Sequence, residues 1–240
     1  MKHIAWLGGI AALSLATPTV AQIAEAELPA PRFHVGGGVI VAQPVGAFGE
    51  VIDVGFGLGG HALYNLDPAG VISLRGDGGF IVYGSETKRV CLSQTVGCRI
   101  QVDLTTTNNI IFFNLGPQLT VPSGPVRPYA NAALGLGYFS TQSSVEGAGD
   151  GEPFANTTNF DDATFAWAAG GGLYIPLRIG DLPLSIDLGA RYNANGKVQY
   201  LREGDIEDNP DGSITFTPRE SEAHLITYTI GVSIGLRPGG

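Results

Sequence analysis

Apolar and polar residues alternate along several stretches of this chain with a period of two, which is typical of β-strands that bury one face. The pattern is clearest in the last apolar segment, His224–Leu236, and recurs in Leu184–Asn193 and Tyr129–Phe139. In the last segment the large face consists of His224, Ile226, Tyr228, Ile230, Val232, Ile234 and Leu236, and the small face of Leu225, Thr227, Thr229, Gly231, Ser233 and Gly235.

Eight such segments are predicted along the chain. They are Phe33–Ala42, Val54–Leu66, Val71–Gly84, Asn109–Thr120, Tyr129–Phe139, Phe165–Leu177, Leu184–Asn193 and His224–Leu236. After a medium first connection, Gln43–Asp53, short and long connections alternate, and the long ones are Ser85–Asn108, Ser140–Thr164 and Ala194–Ala223. Tight turns at one end and long loops at the other are the rhythm of an up-and-down antiparallel β-barrel in a bacterial outer membrane. The sequence therefore predicts an all-β fold with an eight-stranded transmembrane barrel.

The distribution of charge favours a membrane over water. A soluble lipocalin-like barrel or a β-sandwich also alternates, with the large apolar face turned inward. Such a protein would place lysine and glutamate on its water-facing side. Here the smaller face consists mainly of glycine, serine, threonine, asparagine and alanine. We therefore expect the large apolar side chains to face lipid and the small ones to fill a narrow interior.

Four charged residues lie within the eight segments: Arg75, Asp77, Asp187 and Arg191. All four fall on the smaller face, in segments three and seven, which stand opposite each other in a ring of eight. Two positive and two negative charges predict mutual neutralisation inside the barrel, because an unpaired buried charge is costly. Arg75 with Asp187 is the expected pair, and Arg191 with Asp77 or Asp187 is the alternative. The main interpretation is a structural plug, and an ion-conducting path is the second one.

Aromatic residues gather near the predicted segment ends, and interfacial girdles are expected to account for several of them. Ordinary strand propensity also enriches aromatic residues, so both explanations stand. The set comprises Phe33, Tyr64, Phe80, Tyr83, Phe112, Phe113, Tyr129, Tyr138, Phe165, Trp167, Tyr192 and Tyr228.

The chain begins with the layout of a secretory signal peptide, predicted over residues 1–21. Lys2 and His3 precede the apolar run Ile4–Ala16, and small residues then lead to a cleavage point after Ala21. Residues 22–32 are predicted to be a short periplasmic lead-in, and residues 33–240 the barrel domain.

We expect Cys91 and Cys98, in one loop of an exported chain, to form a disulfide. A metal site is the alternative, but two thiols with no neighbouring histidine make an incomplete ligand set.

The whole sequence has a formal net charge of −9, and its acidic residues are concentrated in the predicted loops 140–164 and 194–223. Nucleic-acid binding needs a basic surface and is not expected.

Ser221, Glu222 and His224 are close in sequence, but no hydrolase motif surrounds them. The stretch 207–212 loosely resembles the start of a calcium loop, although Pro218 stands at position twelve in place of glutamate. A solvated acidic loop is preferred there over weak divalent-cation binding. We predict no catalytic, cofactor-binding or metal-ligating residue.

The chain resembles the eight-stranded OmpA-type outer-membrane barrels, the broad family that includes OmpX-like and OmpW-like proteins. The resemblance covers Phe33–Leu236 and rests on the signal peptide, the strand count, the loop rhythm and two glycine-rich strand motifs, Val54–Gly60 and Ile230–Leu236. It implies a monomer among the lipids of a Gram-negative outer membrane. The expected function is non-enzymatic, a structural or surface-interaction protein that meets an extracellular partner through its acidic loops. The alternative is a small passive porin or a conduit for small or hydrophobic molecules, and a lipid-modifying enzyme comes third.

Overall fold

The computed structural model describes residues 31–91, 101–147, 153–179, 182–201, 205–208 and 214–236. The predicted signal peptide, most of the lead-in and Cys98 lie outside these ranges, so the domain division and the disulfide stay predictions. No helix in the described ranges is long and apolar enough to cross a bilayer. The strands are β1 (Phe33–Pro44), β2 (Gly55–Asn65), β3 (Ile72–Cys91), β4 (Gln101–Thr120), β5 (Arg127–Gly147), β6 (Pro153–Ile179), β7 (Leu182–Asn195), β8 (Lys197–Tyr200), β9 (Ile206–Asp208), β10 (Ile214–Phe216), β11 (Arg219–Glu222) and β12 (Leu225–Leu236).

Eight of these strands close into one antiparallel barrel in the order β1-β12-β7-β6-β5-β4-β3-β2. Closure is made by β1 and β12, which pair along their full length from Phe33 opposite Leu236 to Pro44 opposite Leu225. Each of the eight predicted segments corresponds to one barrel strand. The predicted eight-stranded up-and-down barrel is confirmed.

The predicted facing of the strands is also confirmed. In β12, Ile230 is 62% exposed and Val232 is 51% exposed, whereas Ser233 is 4% exposed. The same alternation runs through most of β5. A continuous apolar belt on the outside of a protein marks a surface that meets a membrane or a partner, and here it surrounds the barrel. Its most exposed members are Phe56, Leu58, Phe113, Leu134, Leu136, Phe165 and Ile230.

Two of the predicted long loops are mostly strand. β3 continues past Gly84 to Cys91 and pairs there with the early part of β4, while β5 and β6 extend to Gly147 and from Pro153. These extensions are polar on both faces, so hydrophobic alternation does not reveal them. Cross-strand pairs stabilise them instead. The hydroxyls of Thr87 and Thr105 lie 3.0 Å apart, and Arg89 Nε donates to Asp103 Oδ1 at 2.8 Å.

The connection between β7 and β12 folds back over the long-loop end of the barrel. Within it, β8 pairs with β11, and β9 pairs with β10. The backbone N–H of Gln199 in β8 donates to Asp162 Oδ2 in β6 at 2.8 Å, and Asn195 Nδ2 donates to the carbonyl of Ala223 at 2.6 Å. The first bond fixes β8 against the barrel wall, where Val198 and Tyr200 are buried, and the second joins the end of β7 to the segment between β11 and β12.

At the opposite end, the short turn between β2 and β3 is organised by Asp67. Its Oδ1 accepts from the N–H of Ile72 at 2.6 Å, and its Oδ2 accepts from Ala69 and Val71 at 3.1 and 3.2 Å. Gly70 completes the turn with φ of 73°, a left-handed conformation that favours glycine. The backbone donors, with Ile72 first, lower the pKa of the Asp67 carboxyl below its ordinary 3.8.

The facing can be tested on one strand. We expect Ile230→Arg to destabilise the barrel by about 2–4 kcal/mol, because a charge near the middle of a lipid-facing strand loses its hydration. Ile230→Ser should cost less, and denaturant titrations in lipid vesicles measure both. A nitroxide at Val232 should be accessible to a lipid-soluble relaxation agent, and one at Ser233 should not. Reversed accessibility would mean that the apolar face points inward.

The Asp67 turn should give a pH-dependent contribution to stability. A carboxyl whose pKa is lowered by folding stabilises the folded state above its ordinary pKa, and this contribution disappears as pH falls through the folded value. Asp67→Ala should therefore be less stable than the native chain near neutral pH, with the difference shrinking below about 3.8. Asp67→Asn, which keeps one acceptor oxygen, should lie between the two. A difference that stays constant across acid pH would contradict this account.

Candidate functional site

The chemically distinctive groups of this protein lie inside the barrel, in three successive layers. At the short-turn end is an open cavity, which we call the vestibule. Next comes a charged layer that contains the four ionisable residues singled out in the sequence. At the long-loop end is an apolar plug. All three are held by inward-facing residues of the strands, so barrel closure fixes their positions.

Asp77 is the centre of the charged layer and contacts both arginines. Arg75 Nε donates to Asp77 Oδ1 at 2.6 Å, and Arg191 Nη1 lies 2.8 Å from Asp77 Oδ2. Asp187, 2% exposed, is the fourth member. The structure thus brings the four residues to one level of the interior, where their formal charges sum to zero. Their joint role as a neutral structural plug remains a prediction.

The predicted direct pair of Arg75 with Asp187 is wrong, and the alternative pairing of Arg191 with Asp77 is the one that forms. Asp187 Oδ1 accepts from the Tyr129 hydroxyl at 2.7 Å, and its Oδ2 lies 3.7 Å from His61 Nδ1. Arg75 reaches Asp77 first because the two are on the same face of β3, two residues apart. A partner on the same wall is closer than one across the lumen.

Two tyrosines complete the charged layer, and sequence reasoning does not place them there. Arg75 Nη1 donates to Gln118 Oε1 at 2.9 Å and to the Tyr174 hydroxyl at 3.1 Å. The rings of Tyr174 and Tyr129 stack with centroids 4.6 Å apart. Tyr129 and Tyr83 belong to the predicted interfacial set, but both are buried inside the barrel. Their inward parity along the strands is the signal that identifies them.

Glycine allows Tyr129 to lie flat against the barrel wall. A Cβ added at Gly172 would lie 2.6 Å from the Tyr129 hydroxyl oxygen, and one added at Gly189 would lie 2.7 Å from it. Tyr129 starts on β5, crosses β6 at Gly172 and reaches Asp187 on β7. The missing side chains therefore make the hydrogen bond between Tyr129 and Asp187 sterically feasible.

The apolar plug corrects the expectation that small side chains fill the interior, because large aromatic residues fill it at the long-loop end. Phe48, from the β1–β2 connection, is 0% exposed and lies at its centre. Its ring makes edge contacts with Tyr83, Phe139 and Tyr200, with centroids 5.6, 6.2 and 4.9 Å away. The buried cluster comprises Ile40, Ala42, Phe48, Ile52, Ile81, Tyr83, Ile110, Phe139, Val198, Tyr200, Ala223 and Leu225.

A compact turn places Phe48 in the lumen. The Phe48 carbonyl accepts from the N–H groups of Val51 and Ile52 at 3.3 and 3.0 Å. Gly46 has φ of 64°, and a Cβ at Gly49 would lie 2.6 Å from the Pro44 carbonyl oxygen. Only glycine fits both demands without strain. The corresponding signal in the sequence is an isolated phenylalanine between glycines in a predicted loop.

The open space differs greatly between the layers. A void of about 40 Å³ adjoins the charged layer, between His61, Arg75, Asp77 and Arg191. That is on the order of the space for a few water molecules. The vestibule is much larger, at about 580 Å³. The interior is therefore accessible from the short-turn end and blocked above it.

The remaining candidate residues do not assemble into a reactive site. The Ser221 hydroxyl lies 3.0 Å from the Tyr200 hydroxyl, whereas His224 Nε2 lies 3.2 Å from Glu222 Oε2. Serine and histidine thus contact different partners. The described ranges contain no cluster of three or more metal-ligating side chains. Most of the stretch 207–212 lies outside those ranges, as does Cys98, and Cys91 is the final residue of β3.

These features define a class of protein: a closed eight-stranded antiparallel barrel with an apolar outer surface and an occluded interior. No known family profile matches the sequence, and no curated protein matches it either. The assignment of the fold rests on the chain's own strand order and pairing.

Similar solved structures include three bacterial proteins. Neisserial surface protein A has 16% identity and a TM-score of 0.45, over 86% of this chain and 99% of that one. Ail, the attachment invasion locus protein of Yersinia pestis, has 12% identity and a TM-score of 0.42, over 85% and 98%. A major outer membrane protein from Thermus thermophilus has 13% identity and a TM-score of 0.44, over 84% and 98%.

The pairing in the charged layer can be tested by double-mutant cycles. We expect Arg75→Met and Asp77→Asn to be strongly coupled, since removing either charge leaves the other without a partner in the interior. Arg75→Met with Asp187→Asn should show weaker coupling, because Tyr129 and His61 separate those two. Denaturant titration of the single and double variants gives the coupling energies. A larger coupling for Arg75 with Asp187 would contradict the observed contacts.

Proposed function

We propose that this chain is a non-enzymatic outer-membrane barrel, a structural and surface-interaction protein rather than a conduit. The observation that carries the proposal is the apolar plug around Phe48, which is fully buried in the lumen. An open pore would need a continuous polar path, and this layer offers none. The apolar belt on the outer surface supports a position in lipid.

The direction of insertion follows from the lengths of the connections. Outer-membrane barrels place short turns in the periplasm and long connections outside. On that basis the vestibule opens to the periplasm, and the apolar plug lies beneath the external face. The extended hairpins of β3–β4 and β5–β6 then project from the cell, together with β8–β11.

The charged layer supports the same proposal from below the plug. Each ionic group there has a partner of opposite charge or a hydrogen-bonding side chain within the barrel. Displacing any of them to admit an ion would leave a buried charge unpaired. Two barriers of different chemistry therefore stand in series against a hydrated ion.

The external acidic residues divide into structural ones and exposed ones. Asp162 anchors β8, and buried Asp205 pairs with Arg219, whose Nε lies 3.1 Å from its Oδ2. Glu220 and Glu222 in β11 are exposed. Surface recognition generally resides in such exposed positions on a rigid scaffold. We infer that the β8–β11 pair, fixed by Asp162, is the part of the outer face best arranged to contact an extracellular partner.

Planar-bilayer recording tests the proposal. The native protein should give no large, steady conductance.

Denaturant titration tests the role of the plug in stability. Phe48→Ala should destabilise the barrel by roughly 3–5 kcal/mol, as expected for a buried phenylalanine. Phe216→Ala, at an exposed position in β10, is the matched control and should change stability little.

A reproducible porin-sized conductance from the native protein would overturn this proposal and favour the conduit. Cell fractionation gives an independent measurement of location. A soluble periplasmic product would contradict the membrane assignment itself.

A further inference from the structure

The vestibule is built by the whole barrel. Every one of the eight barrel strands contributes at least one residue to its lining, from His34 in β1 to Ser233 in β12. Its volume of about 580 Å³ lies within the roughly 300–1,000 Å³ typical of small-molecule sites. It is thus a formed cavity on rigid strands, separate from the plug that closes the lumen.

Two nitrogen atoms of the lining are buried without a partner. Arg127 Nε and His34 Nδ1 make no hydrogen bond with any described residue. Atoms outside the vestibule also lack partners, so it is the charge of Arg127 in the wall, rather than the missing partner, that points to a ligand. Arg127 is permanently cationic. A ligand that pairs with it would carry an anionic oxygen.

The described residues that line the vestibule include no aspartate or glutamate. Its floor is formed by Gln118 and Tyr174, whose side-chain oxygens are already bound by Arg75. Arg75 therefore stands directly behind the floor, where Asp77 balances its charge. Hydroxyl donors from Ser123 and Ser185 complete a polar wall. Since the charged layer behind the floor is neutral in sum, the positive charge of the wall comes from Arg127 and favours a negative group.

The rim differs from the wall. Pro31, Pro68, Pro122 and Pro183 lie around the opening, and Leu63 lines the cavity below it. An anionic head alone would leave these surfaces without contacts. A ligand with a short apolar body would cover them.

We propose that the vestibule binds a phosphate-type anion carried on a small apolar body, with Arg127 as the principal anion-binding residue and His34 as a second donor. Arginine forms directional, charge-assisted hydrogen bonds to phosphate oxygens. The site does not depend on the proposed surface function, since it faces the opposite side of the barrel. A free alkyl phosphate and the headgroup of a phospholipid share this chemistry.

The test uses hexyl phosphate and the full-length barrel in zwitterionic detergent, by isothermal titration calorimetry. We expect Arg127→Gln to weaken binding by roughly tenfold or more, the usual effect of removing a charged hydrogen-bond partner. Arg32→Gln is the matched control, because Arg32 is exposed at the same end and does not line the cavity. Ser185→Phe, which fills the cavity from another strand, should abolish binding while Arg127 remains.

The source of the anion is distinguished by a second arm. Native mass spectrometry after extraction from bilayers of phosphatidylglycerol and phosphatidylcholine should show an anionic lipid retained if a headgroup is the occupant. Binding of hexyl phosphate with no retained lipid would identify a soluble ligand. Equal affinity in Arg127→Gln and Arg32→Gln, or no binding of either probe by the native protein, would overturn the proposal. None of these binding results bears on the conductance test, so a failure of the ligand proposal leaves the proposed function in place.

Discussion

Closure of the sheet by β1 and β12 is the constraint on which the rest of this structure depends. Pairing along their full length leaves no free strand edge at the level of the barrel. Unpaired backbone groups are very costly in a hydrocarbon environment, so a ring is the only form in which these strands can span a bilayer. A ring of eight also fixes the width of the lumen, to about what side chains can fill. The side chains of every interior layer must fit within that fixed width.

The lumen is filled in two chemically different ways. In the charged layer, Asp77 balances both arginines, and Asp187 is satisfied by Tyr129 and His61. Above it, Phe48 and the aromatic residues around it exclude water. The two fillings complement each other, because the plug removes solvent from one side of the ion pairs and so makes their mutual neutralisation more important. At the short-turn end no such filling is present among the described residues, and the vestibule results.

The long-loop end of the protein depends on the same scaffold. The extensions of β3 to β6 continue the pairing of the barrel strands beyond the apolar belt, with register shifts between Val82 and Gly84 and between Thr141 and Gln142, so they are held from below. The β8–β11 pair is attached sideways through Asp162 and downward through Val198 and Tyr200. Through these contacts the β8–β11 pair packs on the plug. A substitution at Phe48 would therefore also alter the packing of the β8–β11 pair.

The sequence by itself determined the strand number, the strand facing and the scarcity of charge within the barrel segments. A period of two in side-chain direction is local, which is why Ile230 and Ser233 can be assigned to opposite faces residue by residue. Partner choice across the lumen is not local: the acid that meets Arg191 depends on the stagger between strands, which no single segment encodes. Phe48 lies in a predicted connection and enters the core only because the closed ring brings distant segments over one narrow lumen. Tyr129 turns inward against glycines that lie on other strands. Tertiary structure decided these contacts, because they are set by distances across the barrel.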